Sequence, residues 1–369
     1  MDSTLSHEGA DAPLPDDRSL PAVLVGDGRP LLGLFAVGLA LAGFFAWFLS
    51  AVGDALPHEL RFLGMTLDEL HRLAGGRVAD FMTHDRVAFG GTLIAMAILY
   101  LWLIAVPLGR GERWAWWVIA ATGSFGFASF VAYVGSGYLD SWHLTAATCL
   151  LAVFLPGLAI SRRRLVDGPR DERRGSQAWP SWRTIDGLGR RLVVLTGVGM
   201  VVAGTTILAL GSIVVFVPQD LIYIGFDRAA LDALNPHLVP LISHDRTGFG
   251  GGVATIGLLI LGCLRWGTWS RSLWQALAAA GTLGFGAAIG IHGIVGYLDA
   301  THVGPAVAGA LAFACGMILA QPRRRTAVSL EPPTSAQMIP ASAGGSSPIV
   351  SARTQPADDP WNRDRSTAG

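Results

Sequence analysis

The chain has 369 residues, of which 51% are apolar and only 15% are charged. A soluble chain normally carries about a quarter charged residues, so this composition predicts an integral membrane protein. The formal net charge is zero, which gives no support for a nucleic-acid partner. All three cysteines lie inside apolar runs, which argues against a disulfide framework or a thiolate metal site.

The first 29 residues are polar and slightly acidic, so they predict a disordered cytoplasmic segment and no cleavable signal peptide. Eight apolar runs follow, each with roughly the 20 residues that a helix needs to cross a bilayer. They begin near Pro30, Arg86, Trp114, Trp142, Leu192, Thr247, Leu273 and Thr301. They end near Gly53, Leu108, Tyr138, Ile160, Val217, Leu264, Tyr297 and Ala320. The predicted fold class is an all-α integral membrane protein with eight transmembrane helices.

Arginine residues fall mainly in the connections on one side of these helices. An Arg-rich linker occupies residues 162–191, and three more arginines follow the eighth run in a tail at residues 321–369. Positive residues mark cytoplasmic connections, so linker and both termini are predicted to be cytoplasmic. The tail is rich in Pro, Ser, Ala and Thr, which predicts disorder. The expected location is a plasma (inner) membrane, with the lipid bilayer as the first partner.

Two motifs occur once in each half of the chain. His-Asp-Arg-x-x-Phe-Gly-Gly stands at residues 84–91 and 244–251, and Gly-Tyr-Leu-Asp-x-x-His stands at residues 137–143 and 296–302. The spacing predicts two four-span repeats, at residues 30–161 and 192–320. Because each repeat has an even number of spans, both copies face the same way, which predicts a pseudo-twofold axis along the membrane normal.

The connections after the first and fifth spans are too long and too apolar for plain loops. Leu60, Leu63, Leu67 and Leu70 fall at helical spacing in the first connection. The second has Leu231 and Leu234 at similar spacing. Each connection is predicted to form one short amphipathic helix that covers the mouths of the following spans on the outer face.

One interpretation of the repeated motifs is helix capping. Thr83 and Ser243 are good N-cap residues, and an aspartate at a helix start stabilises the positive end of the dipole. Asp140 and Asp299 would cap the fourth and eighth spans in the same way. Capping does not explain why histidine recurs at both motif positions of both halves.

The other interpretation is a metal centre. Neutral imidazole and carboxylate suit zinc, iron or manganese, so His84 with Asp140 and His143 would form a mixed nitrogen and oxygen site. Bis-histidine haem fits less well, since most of these histidines lie at the membrane boundary. The candidate ligands are His84, His143, Asp140, His244, His302 and Asp299. Candidates for orienting those ligands or for binding another ligand are Asp85, Arg86, Asp245, Arg246 and His292.

Three functional classes stay open on the sequence alone. A metal centre at the outer face would serve redox or hydrolytic chemistry in the membrane. A transporter or ion-coupled permease would use the same ionisable residues as a substrate or proton path. A non-enzymatic membrane component would use the motifs as helix caps. An ion or a small molecule is the ligand that such a site fits, and no protein partner is identified.

Overall fold

The computed structural model describes residues 25–53, 55–165 and 181–322, and these residues form α-helices, short 3-10 turns and connections. Residues 1–24 of the predicted N-terminal segment, residues 166–180 of the Arg-rich linker and residues 323–369 of the tail lie outside the described residues. The helices are α1 Arg29–Val52, α2 Pro57–Leu63, α3 Leu67–Arg72, α4 Arg77–Ala105, α5 Arg113–Ala132, α6 Ser141–Ser161, α7 Ile185–Ile213, α8 Pro218–Ile224, α9 Arg228–Leu234, α10 Leu238–Trp266, α11 Arg271–Val295 and α12 Ala300–Leu319.

Eight of these helices are long and apolar enough to cross a membrane, which confirms the predicted class. They are α1, α4, α5, α6, α7, α10, α11 and α12. The most apolar windows of the spans that contain α4 and α10 are 72% and 67% buried, against 39% or less in the other six. The helices α4 and α10 therefore form the centre of the bundle, and the others surround them.

The two central helices begin earlier than their apolar runs suggest. The sequence placed their starts near Arg86 and Thr247, but α4 begins at Arg77 and α10 at Leu238, each more than two turns upstream. The polar motif residues at these positions are buried between helices, so they interrupt the apolar run without ending the helix. The first motif therefore lies inside each central helix. Smaller differences place the end of α5 at Ala132 and the start of α7 at Ile185.

Each long connection folds into two short helices, where one was predicted. In the first connection, α2 ends at Leu63 and is capped by Gly64, whose left-handed φ of 66° ends the helix before α3 begins. The second connection forms α8 and α9 in the same order. Apolar side chains at their inner faces are almost fully buried against the starts of α4 and α10: Leu63, Leu70, Ile224 and Leu231. These helices cover the N-terminal ends of the two central helices.

The short helices α2 and α8 each carry one buried carboxylate. Glu59 is the third residue of α2, and its Oε2 accepts a hydrogen bond of 2.6 Å from the Leu56 backbone N–H. Asp220 stands at the same place in α8 and accepts one of 2.7 Å from the Val217 N–H. This capping contact fixes both carboxylates where they face the central helices.

Close helix packing on one side of α10 depends on glycine. A Cβ on Gly204 of α7 would lie 2.2 Å from the Ala254 backbone nitrogen, and one on Gly250 would lie 2.3 Å from the Leu208 nitrogen. The backbones of α7 and α10 therefore touch, which is how small residues pack helices in membranes.

Candidate functional site

The motif histidines meet in two clusters beneath the short helices. His84 lies two turns inside α4, and His244 occupies the matching place in α10. We name His84, His292 and His302 the first cluster, and Asp140, His143 and His244 the second cluster. In each cluster the candidate ligand atoms all lie within 4.8 Å of one another. Each cluster thus combines a histidine from one half of the chain with side chains from the other.

The first cluster contains three imidazoles whose Nδ1 atoms face oxygen acceptors. His84 Nδ1 lies 3.0 Å from Asp85 Oδ1, and His292 Nδ1 lies 2.7 Å from the Ala288 carbonyl oxygen. His302 Nδ1 is 3.7 Å from Asp220 Oδ1. Because a carboxylate and a carbonyl only accept hydrogen bonds, the Nδ1 atoms of His84 and His292 carry the ring protons.

The two Nε2 atoms of His84 and His292 face each other at 3.1 Å. In the neutral tautomers just assigned, both atoms hold a lone pair and neither has a hydrogen to donate. The contact is therefore repulsive unless a proton or a metal cation lies between the two nitrogens. Two imidazoles on a tetrahedral metal with bonds of 2.0–2.1 Å have nitrogens roughly 3.3 Å apart, close to the separation found here.

The second cluster joins two imidazoles and one carboxylate. His143 Nδ1 lies 2.8 Å from His244 Nε2 and 3.0 Å from Asp140 Oδ2, and the two rings are nearly parallel at an interplanar angle of 12°. His58 Nε2 lies 3.1 Å from the other carboxylate oxygen of Asp140. Two nitrogens and one oxygen thus lie within 4.8 Å of one another, and His58 lies against the carboxylate oxygen outside this set.

Buried ion pairs tie these clusters to the covering helices. Arg246 of α10 donates to both carboxylate oxygens of Asp220 and, from Nε, to Asp85 Oδ2 at 3.2 Å. Arg86 of α4 donates two hydrogen bonds, of 2.8 and 3.0 Å, to Glu59. All five residues are less than a tenth exposed. Asp85 therefore contacts His84 of the first cluster and Arg246 of α10, the helix that supplies His244 to the second cluster.

Two tyrosines from the second motif stand beside the clusters, outside the spans. Tyr297 donates a hydrogen bond of 2.8 Å to Asp220 Oδ1. Burial, together with the nearby charge of Asp220, raises the pKa of the Tyr297 hydroxyl far above its usual range. Burial likewise raises the pKa of Tyr138, with the Asp140 charge adding to it. Both hydroxyls therefore stay protonated, and that of Tyr297 acts as a neutral donor to Asp220.

The capping interpretation is right for the second motif and wrong for the first. Asp140 caps α6 by accepting from the Trp142 and His143 backbone N–H groups, and Asp299 caps α12 in the same way through Thr301 and His302. Thr83 lies within α4, whose N-cap is Gly76, and Ser243 lies within α10. His84, Asp85 and Arg86 thus have no capping role.

Asp140 and Asp299 have different surroundings although they match in sequence. Burial acts to raise the pKa of the Asp140 carboxyl, but its contacts with His143 and His58 hold that pKa well below the usual range. Asp299 is exposed, and hydrogen bonds from Thr301 and His302 lower the pKa of its carboxyl. Asp140 belongs to the second cluster, whereas Asp299 lies outside the three residues of the first.

This difference predicts unequal effects of removing the two carboxylates. Asp140→Ala removes a cap and the buried carboxylate that lies 3.1 Å from His58 Nε2 and 3.0 Å from His143 Nδ1, so we expect it to lower the free energy of unfolding by about 3 kcal/mol. Asp299→Ala removes an exposed cap only and should cost clearly less. Titration of the purified variants with denaturing detergent in mixed micelles measures both. Equal losses would show that Asp140 acts only as a cap.

The structure rearranges the ligand sets predicted from the sequence. His84 was grouped with Asp140 and His143, but it lies with His292 and His302, while Asp140 and His143 lie with His244. His292 was assigned a supporting role, yet its Nε2 faces His84 directly. Asp245 lies next to His244 and faces a cavity described below.

Sequence reasoning missed five residues that complete the site. They are Glu59, Asp220, Tyr138, Tyr297 and His58. Four of them form pairs at matching positions of the two halves, which was a usable signal: Glu59 aligns with Asp220 and Tyr138 with Tyr297. His58 has no histidine counterpart, since Gln219 stands there.

Compared with known proteins, the chain matches no protein-family model, no curated protein and no solved structure.

Proposed function

We propose that this chain is a membrane metalloprotein that holds two divalent first-row metal ions, one in each cluster. The observation that carries the proposal is the 3.1 Å approach of the His84 and His292 Nε2 atoms, each with its other nitrogen already facing an oxygen acceptor. A cation between these rings relieves the repulsion of the two lone pairs. Burial of the cluster makes an unpaired arrangement costly.

The two ligand sets favour different metals. Three imidazoles in the first cluster, with Asp85 behind His84, match the three-histidine sets that hold zinc and leave a fourth position open. Two histidines and one carboxylate in the second cluster match the set that binds iron(II) and leaves several positions open. A bound metal of either kind would supply an activated water or an oxygen-reactive centre for hydrolytic or redox chemistry.

Haem is disfavoured by the geometry of both clusters. Two imidazoles on a haem iron stand on opposite faces of the ring, with their nitrogens roughly 4 Å apart if each metal–nitrogen bond is about 2 Å. The facing nitrogens of His84 and His292 are 3.1 Å apart, and those of His143 and His244 are 2.8 Å apart. Neither pair leaves space for a macrocycle.

The proposal includes an arrangement in the membrane. Two parallel four-helix units, at residues 30–161 and 192–320, would place both clusters at the extracytoplasmic face of a plasma membrane, with both termini cytoplasmic. The arginine distribution supports this orientation. Matching motif positions in the two halves, and the exchange of histidines between halves in each cluster, support the repeat.

Metal analysis of the purified full chain tests the proposal. After incubation with zinc or iron(II) and removal of free metal, we expect about two equivalents per chain in the wild type. The double variant His84→Ala with His292→Ala should retain about one equivalent, held by the second cluster. The double variant His143→Ala with His244→Ala should also retain about one, held by the first.

Two histidines outside the clusters provide a matched control. His71 lies on α3 and His237 precedes α10, and both are exposed. The double variant His71→Ala with His237→Ala should bind as much metal as the wild type. Less than about one equivalent of metal in the wild type would refute the two-centre proposal. So would a metal content in this control that is as low as in the two cluster variants.

A further inference from the structure

A cavity of about 490 Å³ lies between α1, α4, α5, α6 and α10. Its walls are mainly apolar side chains within the membrane-crossing helices, such as Phe35, Leu93, Met96, Phe127 and Leu150. The volume falls in the range of roughly 300–1,000 Å³ that holds small-molecule ligands. The walls select a ligand with a large apolar part.

The cavity reaches the outer surface of the helix bundle. Leu41 and Phe45 of α1 and Trp142 of α6 line it, and their exposed fractions are 64%, 49% and 66%. In a membrane this surface is covered by lipid. A ligand therefore has a path into the cavity from the bilayer, which suits a molecule dissolved in lipid.

One end of the cavity is polar. Glu59, Asp85, Arg86, His143 and Asp245 line it there. Most of these groups already have strong partners: Arg86 donates twice to Glu59, and Asp85 contacts His84 and Arg246. His143 contacts Asp140 and His244.

Asp245 is the exception at this polar end. Its Oδ2 is buried but accepts no hydrogen bond from the residues that the structure describes. A buried acceptor without a donor costs free energy, and a ligand that brings a donor recovers it. The head group that fits is one that donates a hydrogen bond, such as a hydroxyl.

We infer that this cavity binds a lipid-soluble molecule with a hydroxyl head, either a quinol or a long-chain alcohol, whose hydroxyl donates to Asp245 while its tail lies along the apolar walls. The binding itself does not rest on the metal proposal, because Asp245 and the apolar walls are not candidate ligands. Since His143 lines the cavity and belongs to the second cluster, the bound hydroxyl lies next to that cluster. This places a lipophilic substrate beside the candidate metal centre.

Binding is tested on the full chain in phosphatidylcholine nanodiscs, under nitrogen. The probes are a decyl-substituted benzoquinol, its dimethyl ether, which has no donor, and hexadecanol. Quenching or shift of tryptophan fluorescence, corrected with empty nanodiscs, reports occupancy because Trp142 lines the cavity. We expect at least one hydroxyl probe to bind at least about tenfold more tightly than the ether. The two hydroxyl arms distinguish a quinol from a chain alcohol.

Two glycines give a paired test of the site, because each ends the string Thr-x-x-Phe-Gly, which occurs at residues 122–126 and 282–286. Gly126 lines the cavity, where an added Cβ would meet only Thr255 at 3.7 Å, so Gly126→Leu should fill the space. A Cβ on Gly286 would meet nothing within 4 Å, and Gly286 does not line this cavity. Gly126→Leu is expected to weaken probe binding more than about tenfold, and Gly286→Leu to leave it unchanged. Thermal unfolding without probe checks that both variants fold.

The variant Asp245→Asn tests the head-group contact. It keeps the size of the side chain but loses its charge, so hydroxyl probes should bind about tenfold more weakly while the ether is unaffected. Metal content should stay at the wild-type value, which separates this result from the metal proposal. Equal binding of ether and hydroxyl probes, or binding that ignores Gly126→Leu, would overturn the inference. Binding of phospholipid chains alone would overturn it too.

Discussion

Combining His84→Ala with His302→Ala is expected to remove no more metal than either substitution removes alone. Both imidazoles belong to the first cluster, so loss of one ligand already empties that site at limiting metal. Either single variant and the double variant should retain about one equivalent, held by the second cluster. Substitutions that act on one interacting unit are not additive.

Combining His84→Ala with His143→Ala should give the opposite result. These residues lie in the same half of the chain but in different clusters, so each substitution empties a different site. The double variant should retain almost no metal. The measurement is metal per chain after dialysis against a fixed free concentration of zinc or iron(II). The opposite pattern would contradict the exchange of histidines between halves. If metal losses were additive for His84 with His302 but not for His84 with His143, each half of the chain would build its own centre.

The membrane class and the eight long helices were predictable because they depend on local composition. A run of about 20 apolar residues identifies a spanning helix without knowledge of its neighbours. The motifs were also visible, since a repeated His-Asp-Arg string in an apolar helix is costly and stands out. These features use information within one segment of the chain.

The predicted starts of the central helices were wrong because the prediction placed polar residues outside the spanning helices. In the structure these polar residues lie within the helices and are buried between them. Residues 77–85 of α4 contain Arg77, Asp80, His84 and Asp85, so they read as a connection. In the structure His84 and Asp85 pack against α10 and α11, where Arg246 and His292 supply their partners. A partner that comes from 161 or 208 residues away cannot be seen in a local window.

The composition of each cluster was missed for the same reason. Sequence order groups His84 with His143, because both belong to the first half. The bundle instead brings the start of α12 beside α4 and the start of α6 beside α10, so the histidines are exchanged between halves. Glu59 and Asp220 were missed because a carboxylate at the third position of a helix is usually an exposed capping residue. Only the buried arginines reveal their second role.

Replacement of Arg246 by methionine is expected to be the most destabilising single change at the site. Arg246 pairs with Asp85 and Asp220, and those carboxylates are only 2% and 0% exposed. Arg246→Met keeps the apolar stem but leaves two buried carboxylates without their cation. Breaking a buried pair in this way costs about 3–5 kcal/mol. Titration with denaturing detergent in mixed micelles measures the loss.

A surface pair and a double variant separate charge from packing. Arg110 pairs with Glu112 at 3.4 Å, and its side chain is 61% exposed, so Arg110→Met should cost less than about 1 kcal/mol. Adding Asp220→Asn to Arg246→Met removes one of the two uncompensated charges and should recover part of the stability. A loss for Arg246→Met no larger than that for Arg110→Met would mean that the buried network does not hold the fold.

The same substitution also reports on the link between the two clusters. Arg246 Nε holds Asp85 Oδ2, while Asp85 Oδ1 holds His84 Nδ1, so the arginine orients a ligand of the first cluster through one carboxylate. Groups that orient a metal-binding histidine change metal affinity by about 10–100-fold. In the folded fraction of Arg246→Met, affinity at the first cluster should therefore fall while the second cluster keeps its metal. Because Arg246 comes from the helix that carries His244, this selective loss would show that α10 serves both centres: it supplies a ligand to one and orients a ligand of the other.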